Sequence, residues 1–154
     1  MKQIKKTKKQ ESGRSMIEMV GVLAVMGLIT AAAFVLITSA MKSQKLSNAD
    51  DQVAAIASGV RLLYANSQYF DGLGTASSQV MDTLGYGKTN SPYGGAYSVA
   101  EATCSDGSKC TGFKVEFDAG DASTCTSLAL RTWPSSGSPS CSDSKISIVF
   151  DKGN

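Results

Sequence analysis

From Met19 to Met41 the chain runs for 23 residues without a charged side chain. That is long enough to cross the hydrocarbon core of a bilayer as one helix. Whatever else the sequence forms, this stretch must be taken out of water by lipid or by protein. Directly in front of it stands Glu18. An acidic side chain costs roughly 2.5–3.5 kcal/mol at the bilayer centre and less near an interface. A carboxylate in that position therefore calls for a partner.

The charge balance is uneven along the chain. Formal net charge is +2. Lys2, Lys5, Lys6, Lys8 and Lys9 against Glu11 place +4 in the first 13 residues, so the remainder carries −2. Lysines beside an apolar span read as a cytoplasmic, positive-inside flank. A nucleic-acid-binding arm is the competing use, but the rest of the chain offers no basic patch with aromatics. No specific nucleic-acid partner is expected.

The helical pattern does not stop at Met41. Leu46, Val53, Ile56, Ala57, Val60, Leu63 and Tyr64 recur at steps of three, four and seven, with Asn48, Asp50, Asp51 and Arg61 on other faces. No proline or turn cluster lies between Ser15 and Ala65, which predicts one helix of about 50 residues, about 75 Å long. Its first half is apolar all round; its second is apolar on one stripe, as suits packing on a globular domain. DGLG at 71–74 ends it. A short helix is predicted over 78–84, stopped by Gly85, and NSPYGG at 90–95 reads as a turn.

Beyond residue 95 the period changes to two. A strand is predicted over 96–102. Phe113, Val115 and Phe117 alternate with Lys114, Glu116 and Asp118 as a second, with Asp106-Gly107 as the hairpin turn. A short helix capped by Asp121 or Ser123 runs towards Thr132 and ends at Trp133-Pro134. Residues 134–144 read as loop, and 145–151 as a closing strand rich in β-branched residues. The fold class is α+β: a long N-terminal helical spine, part membrane and part amphipathic, packed on a small antiparallel sheet with a disulfide-clamped C-terminal region.

Cys104, Cys110, Cys125 and Cys141 all lie beyond the apolar run. Even in number, they suggest two disulfides in an oxidising compartment. Zinc is the alternative, but the chain has no histidine, and five, fourteen and fifteen residues intervene between successive cysteines. Cys104 and Cys110 flank the Asp106-Gly107 turn symmetrically. Chain order favours Cys104 with Cys110 and Cys125 with Cys141, one of three connectivities.

With no histidine, Ser/His and Cys/His nucleophile pairs are absent, and no catalytic residue is nominated. GLG at 72–74 and GYG at 85–87 lack the strand–turn–helix setting of a nucleotide loop. No cofactor is expected. Asp118, Asp121 and Asp143 are read as solvated acids rather than calcium ligands, and Tyr93, Tyr97 and Trp133 as packing side chains rather than a partner surface.

The stretch Gly13-Arg14-Ser15-Met16-Ile17-Glu18, behind a lysine-rich start and before the apolar run, resembles the type IV prepilin leader. In that family a basic peptide ending in glycine is cleaved on the cytoplasmic side, and Glu is the fifth residue of the mature chain. Gly27 matches the glycine that pilins place within the apolar helix. The longer leader and the proline-free helix resemble the type IVb branch. NSPYGG and TCTSLAL look like segments near the variable part of type IVb pilins. The likeness covers residues 1–65 and is loose beyond. It departs at Arg14, where the family usually has an apolar first mature residue.

The resemblance implies a leader at 1–13, an apolar membrane and filament-core helix at 14–42, and an amphipathic helix plus pilin head at 43–154. It implies cleavage between Gly13 and Arg14 by a prepilin peptidase, N-methylation at Arg14, and a filament of identical subunits. Glu18 would neutralise the new amino terminus of a neighbouring subunit, so that neither charge is buried alone. The local alternative is an ion pair with Arg14 one helical turn away, worth a few tenths of a kcal/mol. Cys125 and Cys141 would clamp a surface loop of 17 residues, worth around 3 kcal/mol in the chain-entropy picture. The subunit would wait in the inner membrane with its head in the periplasm, until assembly machinery draws it from the lipid into an extracellular pilus for adhesion, aggregation or conjugation. Two other readings stay open. One is a type II secretion pseudopilin, commonly with a calcium site. The other is a membrane-tethered or secreted binding domain, the secreted form cut near Thr38-Ser39-Ala40.

Overall fold

The computed structural model of the chain describes residues 12–105, 109–133 and 139–152, the first four of these by their backbone alone. The proposed leader up to Glu11 and the Asp106-Gly107 turn lie outside the described residues. The protein is α+β: a long N-terminal helix, α1 (Ser12–Leu63), whose later part packs on a four-stranded antiparallel sheet. The chain divides into two compact units, Met1–Ser43 and Gln44–Asn154.

In the second unit α1 contributes the middle of the stripe predicted from its spacing; Leu46 and Tyr64 are half-buried, and Leu63, also predicted on it, is exposed where the helix ends. Ala49, Val53, Ile56, Ala57 and Val60 are all buried, because steps of three and four return to one helix face. Gly59 lies close against Leu84: a Cβ there would sit 2.5 Å from the leucine Cδ2. After α1 the chain turns through Phe70 and Leu73, both buried, into α2 (Ser77–Thr83). Gly85 stops α2 at φ +80°, with Gly85 N–H donating to Asp82 O and Tyr86 N–H to Met81 O. Glycine adopts that left-handed cap without a Cβ penalty.

The sheet holds β1 (Ser98–Ser105), β2 (Lys109–Asp118), β3 (Pro139–Ser142) and β4 (Lys145–Asp151) in the order β1-β2-β4-β3. Alternation decides its faces. Val99, Phe113, Val115, Phe117, Ile146, Ile148 and Phe150 point into the core. Phe113 lies opposite Phe150, and Val115 opposite both Val99 and Ile148. The Phe70, Phe113 and Phe150 rings pack in sequence at 5.0 and 5.4 Å between centroids. The Arg61 guanidinium covers their edge, 6.0 Å from Phe113 and 5.8 Å from Phe150, and donates to Asp151 O at 2.9 Å.

Between β2 and β3 lies α3 (Ala122–Ala129), capped by Asp121. It ends three residues before the predicted Thr132. Trp133 folds back instead, buried, donating its indole N–H to Leu128 O at 3.1 Å. The larger departure is β3. The serine-rich stretch around Cys141 reads as loop in the sequence, yet residues 139–142 pair with β4. Two constraints compensate for its weak strand composition. Cys141 is bonded to Cys125 of α3, and Asp143, at φ +55°, makes the tight reversal into β4. Aspartate is among the few non-glycine residues that tolerate that backbone.

Candidate functional site

In the first unit α1 has no cover among the described residues. Fifteen large apolar side chains between Met16 and Met41 are exposed, Ile17 at 78% and Phe34 at 69% among them. None of its most apolar window, of mean hydropathy 2.6, is buried. At roughly 2 kcal/mol per large apolar side chain, such a surface in water costs on the order of 30 kcal/mol. That exceeds the about 5–15 kcal/mol by which a typical domain is stable. This helix is long and apolar enough to cross a membrane. Residues 16–41 extend about 39 Å at 1.5 Å per residue, against a core of about 30 Å.

The helix also manages its own polar groups. Thr30 Oγ1 donates to Met26 O, and Thr38 Oγ1 donates to Val35 O at 2.9 Å. Both hydroxyls are thereby satisfied without help from water, as an apolar setting requires. Glu18 is different. Its carboxylate stands exposed at the end of a shallow groove lined by Gly21, Val22, Val25, Met26 and Ile29. Gly21 and Gly27 leave open space where a Cβ would sit, so the backbone is bare enough for another helix to come close. The Arg14 side chain lies outside the described ones, and Gly13, where cleavage is expected, is described only as helical backbone.

The four cysteines form two bonds, Cys104–Cys110 and Cys125–Cys141, with no free cysteine. Cys104 faces Cys110 directly across β1 and β2. Asp121 positions the second bond. It accepts from Ser123 Oγ at 2.6 Å, Thr124 N–H at 2.8 Å and Thr124 Oγ1 at 2.8 Å. These bonds, Ser123 first, hold its carboxyl down to about 2 and fix the first turn of α3, which carries Cys125.

Asp118 Oδ1 accepts from Gly120 N–H at 2.8 Å, so Asp118 and Asp121 are both turned on backbone. Among the described residues no group of three or more His, Cys, Asp or Glu is placed to hold a metal ion. Tyr97 and Trp133 are buried and Tyr93 is half-buried. The Tyr97 hydroxyl donates to Gln52 Oε1 at 2.8 Å, and burial first, then Tyr86 and Tyr93, push its phenol up. The structure adds one polar pair that periodicity does not reveal. Asp50 of α1 meets Arg131 beyond α3 at 3.7 Å. Burial pushes the Asp50 carboxyl up against the pull of Arg131, and Asp51 adds to the push. Their sequence separation of 81 leaves no local signal.

No protein-family model and no curated protein matches the chain. The reading of its function therefore rests on its own residues.

Proposed function

We propose that the chain is the precursor of a type IVb-like pilus subunit, cleaved after Gly13 and assembled through the apolar part of α1. The observation that carries this reading is the pairing of an uncovered apolar helix with a single exposed carboxylate, Glu18, five residues after a glycine. Lipid satisfies such a helix but gives nothing back to a carboxylate. A neighbouring subunit's amino terminus supplies both an apolar face and the opposite charge. The disulfide-held α+β unit is the part that remains in the periplasm before assembly and on the filament surface after it. Before assembly the helix spans the inner membrane, with the lysines of the leader on the cytoplasmic side.

The intact mass of the protein from native membranes tests the first step. Loss of residues 1–13 is expected; an uncut chain, in a host with active prepilin peptidase, overturns the proposal in favour of a plain tether. Glu18→Ala tests the second. Cleavage at Gly13 should continue while incorporation into filaments falls below detection. Normal filaments from this variant would refute the assembly role of Glu18.

A further inference from the structure

The two disulfides stand in opposite environments. Cys104 is exposed at the end of the β1–β2 hairpin, and only its partner Cys110 is buried. Cys125 has no exposed surface and Cys141 is half-buried. A thiolate exchanges with a disulfide only by reaching one of its sulfurs in line. The first bond offers a reachable residue on the folded domain. The second is shielded by the packing of α3 on β3 and β4.

The frameworks around the two bonds also differ. From the Ser98–Glu116 pair to the Glu101–Phe113 pair the β1–β2 ladder is set by the buried Val99, Phe113 and Val115, three to five residues from the cysteines. Cys110 is held besides by its backbone: its N–H donates to Asp71 Oδ1 at 3.0 Å and its carbonyl accepts from Phe70 N–H at 2.8 Å. These supports of β1 and β2 do not run through the Cys104–Cys110 bond. Thr103, at φ +54°, bends β1 just before Cys104. A β-branched residue rarely takes that conformation, so the hairpin end departs from regular strand where the bond sits. Cys125–Cys141, by contrast, is one of the two constraints that make residues 139–142 a strand.

We propose that Cys104–Cys110 is a thiol–disulfide exchange site, opened and closed on the folded domain by a dithiol oxidoreductase. In the opening direction a dithiol's thiolate attacks Cys104 Sγ. The Cys104–Cys110 bond breaks, and Cys110 Sγ leaves as a thiolate that takes up a proton. The second thiol of the partner then displaces Cys104. The partner's dithiol is oxidised to a disulfide as the protein's disulfide gains two electrons. In the closing direction the partner acts in its disulfide form: the Cys104 thiolate attacks it, one partner sulfur leaves as a thiolate, and Cys110 Sγ then displaces the other, so the partner is reduced to its dithiol as the protein's bond forms. The β1–β2 pairing presents the two thiols already opposed, so this bond can form last. Cys125–Cys141 forms only while α3 and β3 are coming together.

The test uses the full chain in detergent micelles, with dithiothreitol as the probe and alkylation as the quench. Peptide mapping should show Cys104 and Cys110 alkylated at least about ten-fold faster than Cys125 and Cys141, because only the second pair needs an opening of the domain. Circular dichroism should stay unchanged through the first phase. Sub-denaturing urea should leave the first rate unaltered and accelerate the second. Equal rates, an earlier opening of Cys125–Cys141, loss of structure with the first phase, or a first rate that climbs with urea would each overturn the proposal.

Discussion

The helix α1 contains two stretches of similar length and opposite fate. Over 44–63 most apolar residues fall on one stripe, and Ala49, Val53, Ile56, Ala57 and Val60 of it are buried, while Leu62 and Leu63 at the end of the helix are exposed. Over 16–41 they fall all round, and every large one is exposed. The backbone is the same in both, so helix formation does not separate them. Angular distribution does: a stripe can be covered by one sheet of the same chain, whereas a fully apolar cylinder needs a solvent of its own. The first stretch is accordingly where other molecules must be.

The largest expected effect comes from removing that stretch. The chain shortened to Gln44–Asn154 should be soluble, monomeric and cooperatively folded without detergent, because its core of α1 stripe and sheet is complete. The full chain should need detergent or lipid. Sedimentation and thermal unfolding check both. A shortened chain that aggregates or melts without a transition breaks the comparison, since the stripe would then need something more than the sheet.

Paired substitutions sharpen it. Phe113→Ala should lose about 3–5 kcal/mol of domain stability, the range for deleting a buried aromatic. Phe34→Ala, exposed in the apolar stretch, should shift the same transition by less than about 0.5 kcal/mol. Urea unfolding followed by Trp133, the chain's one tryptophan, measures both, because that indole is buried and faces Phe117. Equal losses would mean that the two stretches do not differ in what covers them.

Between these and the smallest effects lie the disulfides. Replacing Cys125 and Cys141 together with serine should cost about 3 kcal/mol, and the Cys104/Cys110 double replacement about 2 kcal/mol, since the closed segment is shorter. Chemical denaturation under non-reducing conditions separates them. The reverse order would show that the hairpin bond supports more than its own turn.

What the sequence made legible follows the same division. The α1 stripe, the stop at Gly85, the hairpin with opposed Cys104 and Cys110, and the β4 span of 145–151 all carry strong local signals: period, glycine, turn or β-branched content. The strand β3 carried none. Ser140 and Ser142 have no strand preference, and their pairing comes from a bond to α3 and a reversal at Asp143. The Asp50–Arg131 contact was hidden for a related reason, because it depends on where the end of α3 falls on α1. The candidate site is the opposite case. Glu18 was legible because its signal is an anomaly of composition, a charge at the mouth of an apolar run. Among the described residues nothing encloses it.

The smallest effect concerns the cap that holds α3 in place. Asp121 has its carboxyl depressed from the usual 3.8 to about 2 by hydrogen bonds from Ser123 and Thr124. A depressed carboxyl contributes stability that is present above its unfolded value and lost as pH falls through its folded value. The window is therefore from 3.8 down to about 2. Asp121→Asn keeps an oxygen able to accept from Thr124 N–H but removes the titration. The stability of the wild type relative to this variant should be constant above the window and shrink within it. Other carboxylates titrate in both proteins and drop out of the difference. A difference that stays flat down to pH 2 would mean that α3, and with it Cys125, is positioned without the charge on Asp121. The packing of Leu128 and Trp133 would then suffice to hold the helix.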